Sequence, residues 1–119
     1  MPIDSQTSMK CNIRLADNDS VGFQLDAPLV EGYIIGRADE ALHYMPDIDL
    51  ADYDSRDRGV SRRHAAIIDY DGMPHIIDLS SANGTYLNGR RLSPDRPYAL
   101  EPFNEVRLGT LDVIITVSE

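Results

Sequence analysis

Lysine occurs once in the 119 residues, as Lys10, and cysteine once, as Cys11. No apolar run is long enough to cross a membrane, and the first twenty residues, MPIDSQTSMKCNIRLADNDS, lack the apolar stretch of a secretory signal. Each shortage closes something off. A lone cysteine has no internal disulfide partner, so the expected setting is reducing and cytoplasmic, away from any membrane. Positive charge is short as well: a net charge of −9 disfavours a nucleic-acid binder, whose affinity for a phosphate backbone needs a broad positive surface. Also nearly missing is helical periodicity. The length fits a single domain, residues 1–119, and 42% hydrophobic with 26% charged residues is ordinary for a globular protein with a modest core.

Short runs rich in Val, Ile, Leu and Tyr stand where helices are absent. CNIRL, GFQL, GYIIG, DIDL, HAAIIDY, HIIDL, TYL, NEVRLG and DVIITV each read as a strand. Asp71-Gly72 separates AAIIDY from MPHIIDL, and Asn88-Gly89 separates TYL from RRL. Both pairs suit tight hairpins, which need positive φ at two central residues. Strands recurring at such short intervals indicate an antiparallel sandwich or barrel. Residues 38–58, ADEALHYMPDIDLADYDSRDR, read as a long loop with one short strand.

The basic residues that do exist are unevenly placed. Ten of the eleven are arginine, and seven of those (Arg37, Arg56, Arg58, Arg62, Arg63, Arg90, Arg91) lie between positions 37 and 91. A planar fork of donors suits bidentate recognition of carboxylate or phosphate better than an ammonium does. The plainer alternative is that these arginines offset the many aspartates on a solvated surface.

Ser61 and His64 in SRRHA invite a hydrolase reading, which strand geometry opposes. On a strand, positions three apart point to opposite faces and lie roughly 10 Å apart, whereas a nucleophile and its base must be within hydrogen-bond reach. No G-x-S-x-G elbow is present, and no enzyme is expected. The aspartates at 47, 49, 52, 54 and 57 lack the order of a calcium loop and its closing glutamate. Cys11 and three scattered histidines show no zinc spacing, so neither metal nor cofactor is expected.

A phosphate site on a sandwich needs arginine forks, a hydroxyl donor and loops of fixed shape. Gly36-Arg37, Ser61-Arg62 and Asn83 supply these at loop-like positions, and sandwich loops cluster at one end. Gly36-Arg37, then Ser61-Arg62-Arg63-His64, then Asn83-Gly84-Thr85, then Asn88-Gly89 reproduce in order the G-R, S-x-x-H, N-G-T and N-G signature of the forkhead-associated (FHA) family. The resemblance runs from about Gly32 to Val117, residues 32–117. It implies an all-β fold, a two-sheet antiparallel β-sandwich of about eleven strands (FHA/SMAD-like) with binding loops at one end. It also implies a module that binds phosphothreonine in a partner protein phosphorylated by a separate Ser/Thr kinase.

Carried over position by position, the resemblance makes Arg37 the primary phosphate ligand. Ser61 is a hydroxyl donor, Arg62 a second cation and Asn83 the group that holds the peptide main chain. His64 and Gly36 are structural, Gly84, Thr85, Asn88 and Gly89 shape the binding loop, and Ala82 and Gly84 are secondary contacts. Some members place a threonine or serine immediately before the N-G-T asparagine; Ala82 stands there, so weaker binding is expected. Arg58 is a secondary contact that reads residues after the phosphothreonine, or else it pairs with Asp54 or Asp57. Arg63 faces solvent. Arg37 has its own alternative, a structural ion pair with the acidic loop. The rival functional reading is a phosphorylation-independent docking domain on the same fold, and the chain reads equally as a whole small protein or as a domain of a longer one.

Overall fold

The computed structural model describes residues 10–25 and 32–118. Among these residues are eleven strands: β1 (Lys10–Leu15), β2 (Asn18–Leu25), β3 (Tyr33–Gly36), β4 (Ile48–Asp49), β5 (Arg63–Tyr70), β6 (Met73–Asp78), β7 (Thr85–Leu87), β8 (Arg90–Arg91), β9 (Tyr98–Ala99), β10 (Phe103–Leu108) and β11 (Leu111–Ser118). They form two sheets, of order β2-β1-β11-β10-β7-β8 and β4-β3-β5-β6-β9. Among the described residues the only helical segment is a 3-10 turn, Glu40–Leu42, and no helix is long and apolar enough to cross a membrane.

Period-two alternation in the sequence becomes a two-faced strand. In β10 the residues Asn104, Val106 and Leu108 point inward, while Phe103, Glu105 and Arg107 point out. Ile13, Ile35, Ile67, Ile76, Val106, Val113 and Ile115 from both sheets meet in one core and are at most 1% exposed. Removing such side chains from water is the main favourable contribution to a sandwich of this kind.

Both expected hairpins form. Asp71 and Gly72 take φ of 56° and 80°, and Asn88 and Gly89 take 51° and 87°, so each pair makes the turn that matches the twist of its strands. Two features depart from the sequence reading. Strand β4 runs parallel to β3 while every other described pair is antiparallel. The two-residue strand β9 follows a Pro-rich stretch that carries no alternation, so only its pairing with His75 and Ile76 of β6 reveals it.

Candidate functional site

Strand β3 ends in a bulge at Ile35/Gly36, and there the chain turns toward the segment that enters β5. Arg37 N–H donates to the Arg62 carbonyl at 3.1 Å. The contact is so close that a Cβ on Gly36 would lie 1.7 Å from the Arg62 oxygen, so only glycine fits. Arg37 is thereby fixed beside Val60, whose carbonyl accepts from its Nε at 2.9 Å. The two terminal nitrogens of the guanidinium have no partner among the described residues. Arg37 therefore forms no ion pair with the acidic loop: its stem is anchored and its fork is unspent.

Ser61 and His64 correct the geometric argument made from the sequence. Strand β5 starts only at Arg63, and the chain bends at Ser61 and Arg62 so that the imidazole reaches back. His64 Nδ1 accepts from the Ser61 backbone N–H at 3.0 Å, and His64 Nε2 lies 2.9 Å from the Gly84 carbonyl. The first contact makes Nδ1 the acceptor, so the proton sits on Nε2 and is donated to Gly84. The ring is fully buried. Burial pushes its pKa below the ordinary histidine value, partly offset by the Gly84 hydrogen bond and the nearby charge of Asp78. With both nitrogens used on main chain, the ring has no lone pair for the serine hydroxyl. It ties the Ser61 loop to the Gly84 loop.

Across that tie, Ser61 Oγ accepts the Ala82 N–H at 3.0 Å, leaving its own hydroxyl hydrogen for an incoming acceptor. Asn83, exposed at the tip of the same loop, donates from Nδ2 to the Gly59 carbonyl at 3.1 Å. Its Oδ1 remains open. Gly84 N–H is held by Ser81 Oγ at 3.0 Å. The expected residues Arg37, Ser61, Ala82, Asn83 and Gly84 thus come together through hydrogen bonds between three loops at one end of the sandwich.

Arg62 carries an ion-pair partner of its own. Its Nε stands 3.0 Å from Asp39 Oδ2, with half of the arginine side chain still exposed. Asp39 is itself fixed, its Oδ1 capping the 3-10 turn through Ala41 N–H at 3.0 Å. Arg58 pairs with neither Asp54 nor Asp57 through its side chain. Its guanidinium leans on the Thr110 carbonyl at 3.4 Å, and its own carbonyl accepts from Thr110 N–H at 2.8 Å. Arg63 is exposed. Asn88 and Gly89 make the β7–β8 turn instead of the binding loop, and Asn88 clamps Glu105 of β10 through its side-chain oxygen at 2.8 Å.

Sequence reasoning missed the group that shapes the Gly84 loop. Asp78, 2% exposed at the end of β6, accepts from Ser81 Oγ at 2.5 Å, Ser81 N–H at 3.3 Å and Thr85 Oγ1 at 2.6 Å. These bonds close the loop from 79 to 84 around one buried carboxylate, which explains why Thr85 is fully buried. The signal was present: an aspartate three residues before a serine at a strand end is an acceptor for that serine's free N–H. Among the described residues no three His, Cys, Asp or Glu side chains are grouped to hold a metal ion.

Comparison with known proteins places this arrangement. The FHA domain family model matches residues 33–109, and the chain belongs to that family. FHA domains are non-enzymatic interaction modules. Smad nuclear-interacting protein 1 of Mus musculus is 38% identical over 60 residues, covering 50% of this chain and 14% of that protein. Protein FraH of Nostoc sp. is 35% identical over 69 residues, 58% of this chain and 24% of its own length. The chain therefore spans a quarter or less of these relatives. Among solved structures, one from work on phosphothreonine-dependent FHA domain interactions has a TM-score of 0.70 at 26% identity, covering 92% of this chain and 98% of that one. The FhaA FHA domain, complexed with the intracellular domain of Rv3910, gives 0.66 at 28% identity over 88% and 98%. The N-terminal FHA domain of S. cerevisiae Rad53p, bound to a phosphothreonine peptide, shares the fold with a TM-score of 0.71 at 20% identity over 91% and 93%. FHA domains solved with phosphothreonine peptides support reading the fold as that of a phosphopeptide-binding module.

Proposed function

We propose that this chain captures phosphothreonine in a partner protein phosphorylated by a separate Ser/Thr kinase, and so acts in kinase-dependent signalling. The observation that carries the reading is the anchoring of Arg37. Its backbone and Nε are fixed on Arg62 and Val60 while its terminal nitrogens stay open beside the Ser61 hydroxyl loop.

In this reading Arg37 offers a fork to two phosphate oxygens and Ser61 donates its hydroxyl to a third. Arg62 adds charge from its exposed half, and Asn83 holds the peptide main chain. A phosphothreonine carries about −1.5 to −2 charge at pH 7. Three or four charge-assisted bonds, each worth roughly 1.5–3 kcal/mol, give about 4.5–12 kcal/mol before the cost of ordering a flexible peptide, a range that accommodates micromolar binding at about −7 to −8 kcal/mol. Since the whole chain carries −9, attraction must be local to these loops.

The test is capture from a degenerate peptide library in phosphothreonine, phosphoserine and unphosphorylated forms. Selective retention of the phosphothreonine form, lost in Arg37→Ala, is expected. Equal retention of all three forms contradicts the reading and favours phosphorylation-independent docking.

A further inference from the structure

A groove of about 860 Å³ opens directly beside Asn83 and Gly59 and runs outward over the six-stranded sheet. It crosses Tyr86 on β7, Arg107 on β10 and Asp112 and Ile114 on β11, and ends at Ala16 in the β1–β2 turn. Tyr86, Arg107 and Asp112 are successive neighbours across paired strands, so the groove lies across the strands. Crossing from β7 to β1 covers three strand spacings of about 4.8 Å, roughly 14 Å, which an extended chain spans in about four residues.

The charges along it do not cancel. Arg107 and Asp112 neutralise each other through two contacts, at 2.8 Å and 3.2 Å. Asp57 and Glu105, which also line the groove, have no ion-pair partner among the described residues, and Arg58 alone stands against them. The wall is thus continuous with the phosphate-binding loops and carries a local acidic excess.

Resting on the phosphothreonine reading above, we infer that one flank of the bound phosphopeptide continues into this groove. That flank places a lysine or arginine against Glu105 within about four residues of the phosphothreonine. Arginine-bearing loops would take the phosphate, and the acidic wall beside them would take the basic flank. The two halves of the surface together favour a peptide with a phosphate and a basic residue over one that is acidic throughout.

The experiment measures binding of the full chain to degenerate phosphothreonine peptides by fluorescence anisotropy. Each peptide has six residues on both sides of the phosphothreonine, or one side trimmed to two. Trimming one side is expected to weaken binding about five- to tenfold and trimming the other less than twofold. On the sensitive side, lysine should bind about two- to fivefold tighter than glutamate. Glu105→Lys should reverse that preference. Glu105 is exposed and its loop contact is made by its backbone, so the variant keeps the fold, which thermal denaturation verifies. Arg37-dependent binding that ignores both peptide length and the charge at 105 overturns this inference alone. Absence of any phosphothreonine binding by the wild type overturns the reading and the inference together.

Discussion

His64 Nδ1 accepts the backbone N–H of Ser61 at 3.0 Å, and this contact decides what the SRRHA segment does. The imidazole is spent on two main-chain bonds, to Ser61 and to Gly84, so it holds loops together instead of activating a serine. Replacing it with alanine leaves a buried N–H and a buried carbonyl unpaired and opens a void. His64→Ala should lose about 3 kcal/mol in urea denaturation. The folded ring has a pKa below the ordinary value of about 6.5, because burial disfavours its charge. As the pH falls below about 6.5, the unfolded chain binds a proton here before the folded chain does, so stability declines until the folded ring titrates. That slope should disappear in His64→Gln. A wild-type stability that stays flat from pH 7 to 5.5 contradicts the assignment.

Gly36 is where β3 and the Ser61 loop touch. Alanine there would put its Cβ 1.7 Å from the Arg62 carbonyl oxygen and 3.0 Å from that of Ser61, both backbone atoms that cannot rotate away. Gly36→Ala should cost roughly 3 kcal/mol or more and shift Arg37 from its place, so that phosphopeptide affinity falls too. A variant with wild-type denaturation midpoint and binding would show that the bulge yields easily.

Asp78 makes a third case, because it never touches a ligand in this account. Asp78→Ala leaves two hydroxyls and an amide without their acceptor in a buried place, at a cost of about 3 kcal/mol. Its loop carries Ala82 and Asn83, so phosphopeptide affinity should drop about tenfold as well. Lower stability with unchanged affinity would mean that the loop keeps its shape by other means.

Ala82 is the position where the FHA resemblance implies that some members carry a hydroxyl. Its N–H already meets Ser61 Oγ at 3.0 Å, so the main chain here is tied to the Ser61 loop and the side chain is exposed. Ala82→Thr should raise phosphothreonine affinity about three- to tenfold by adding one hydrogen bond to a charged group. Unchanged affinity in isothermal titration would place the phosphate away from residue 82.

Much of this fold was legible in the residues themselves. Asp71-Gly72 and Asn88-Gly89 specified two turns because few residue pairs accept positive φ twice. Alternation marked β1, β6 and β10, whose inward residues fill the core. Strand β4 was visible in DIDL as the one short strand of its loop, but β9, two residues after a Pro-rich stretch, is too short for any period, and only its pairing with β6 defines it. At the site, Arg37, Ser61 and Asn83 were visible as types in a spaced pattern. The Arg62–Asp39 pair, the Arg58–Thr110 contact and the Asp78 scaffold join residues whose sequence separation carries no pattern. They exist because the bulge at Gly36 and the short loops bring distant segments within about 3 Å, a distance set by folding and absent from any local window.

The central claim is that Arg37 reads a phosphate dianion, and one titration tests it most directly. A peptide selected from the phosphothreonine library is titrated in its phosphorylated and unphosphorylated forms, against wild type and Arg37→Ala, at pH 7.5 and 5.5. The account predicts micromolar binding of the phosphorylated form only. It also predicts a loss of about a hundredfold or more in the variant and weaker wild-type binding at pH 5.5, where the phosphate, with its second pKa near 6, is largely a monoanion. Equal binding of both forms, or binding indifferent to Arg37 and to pH, would contradict it.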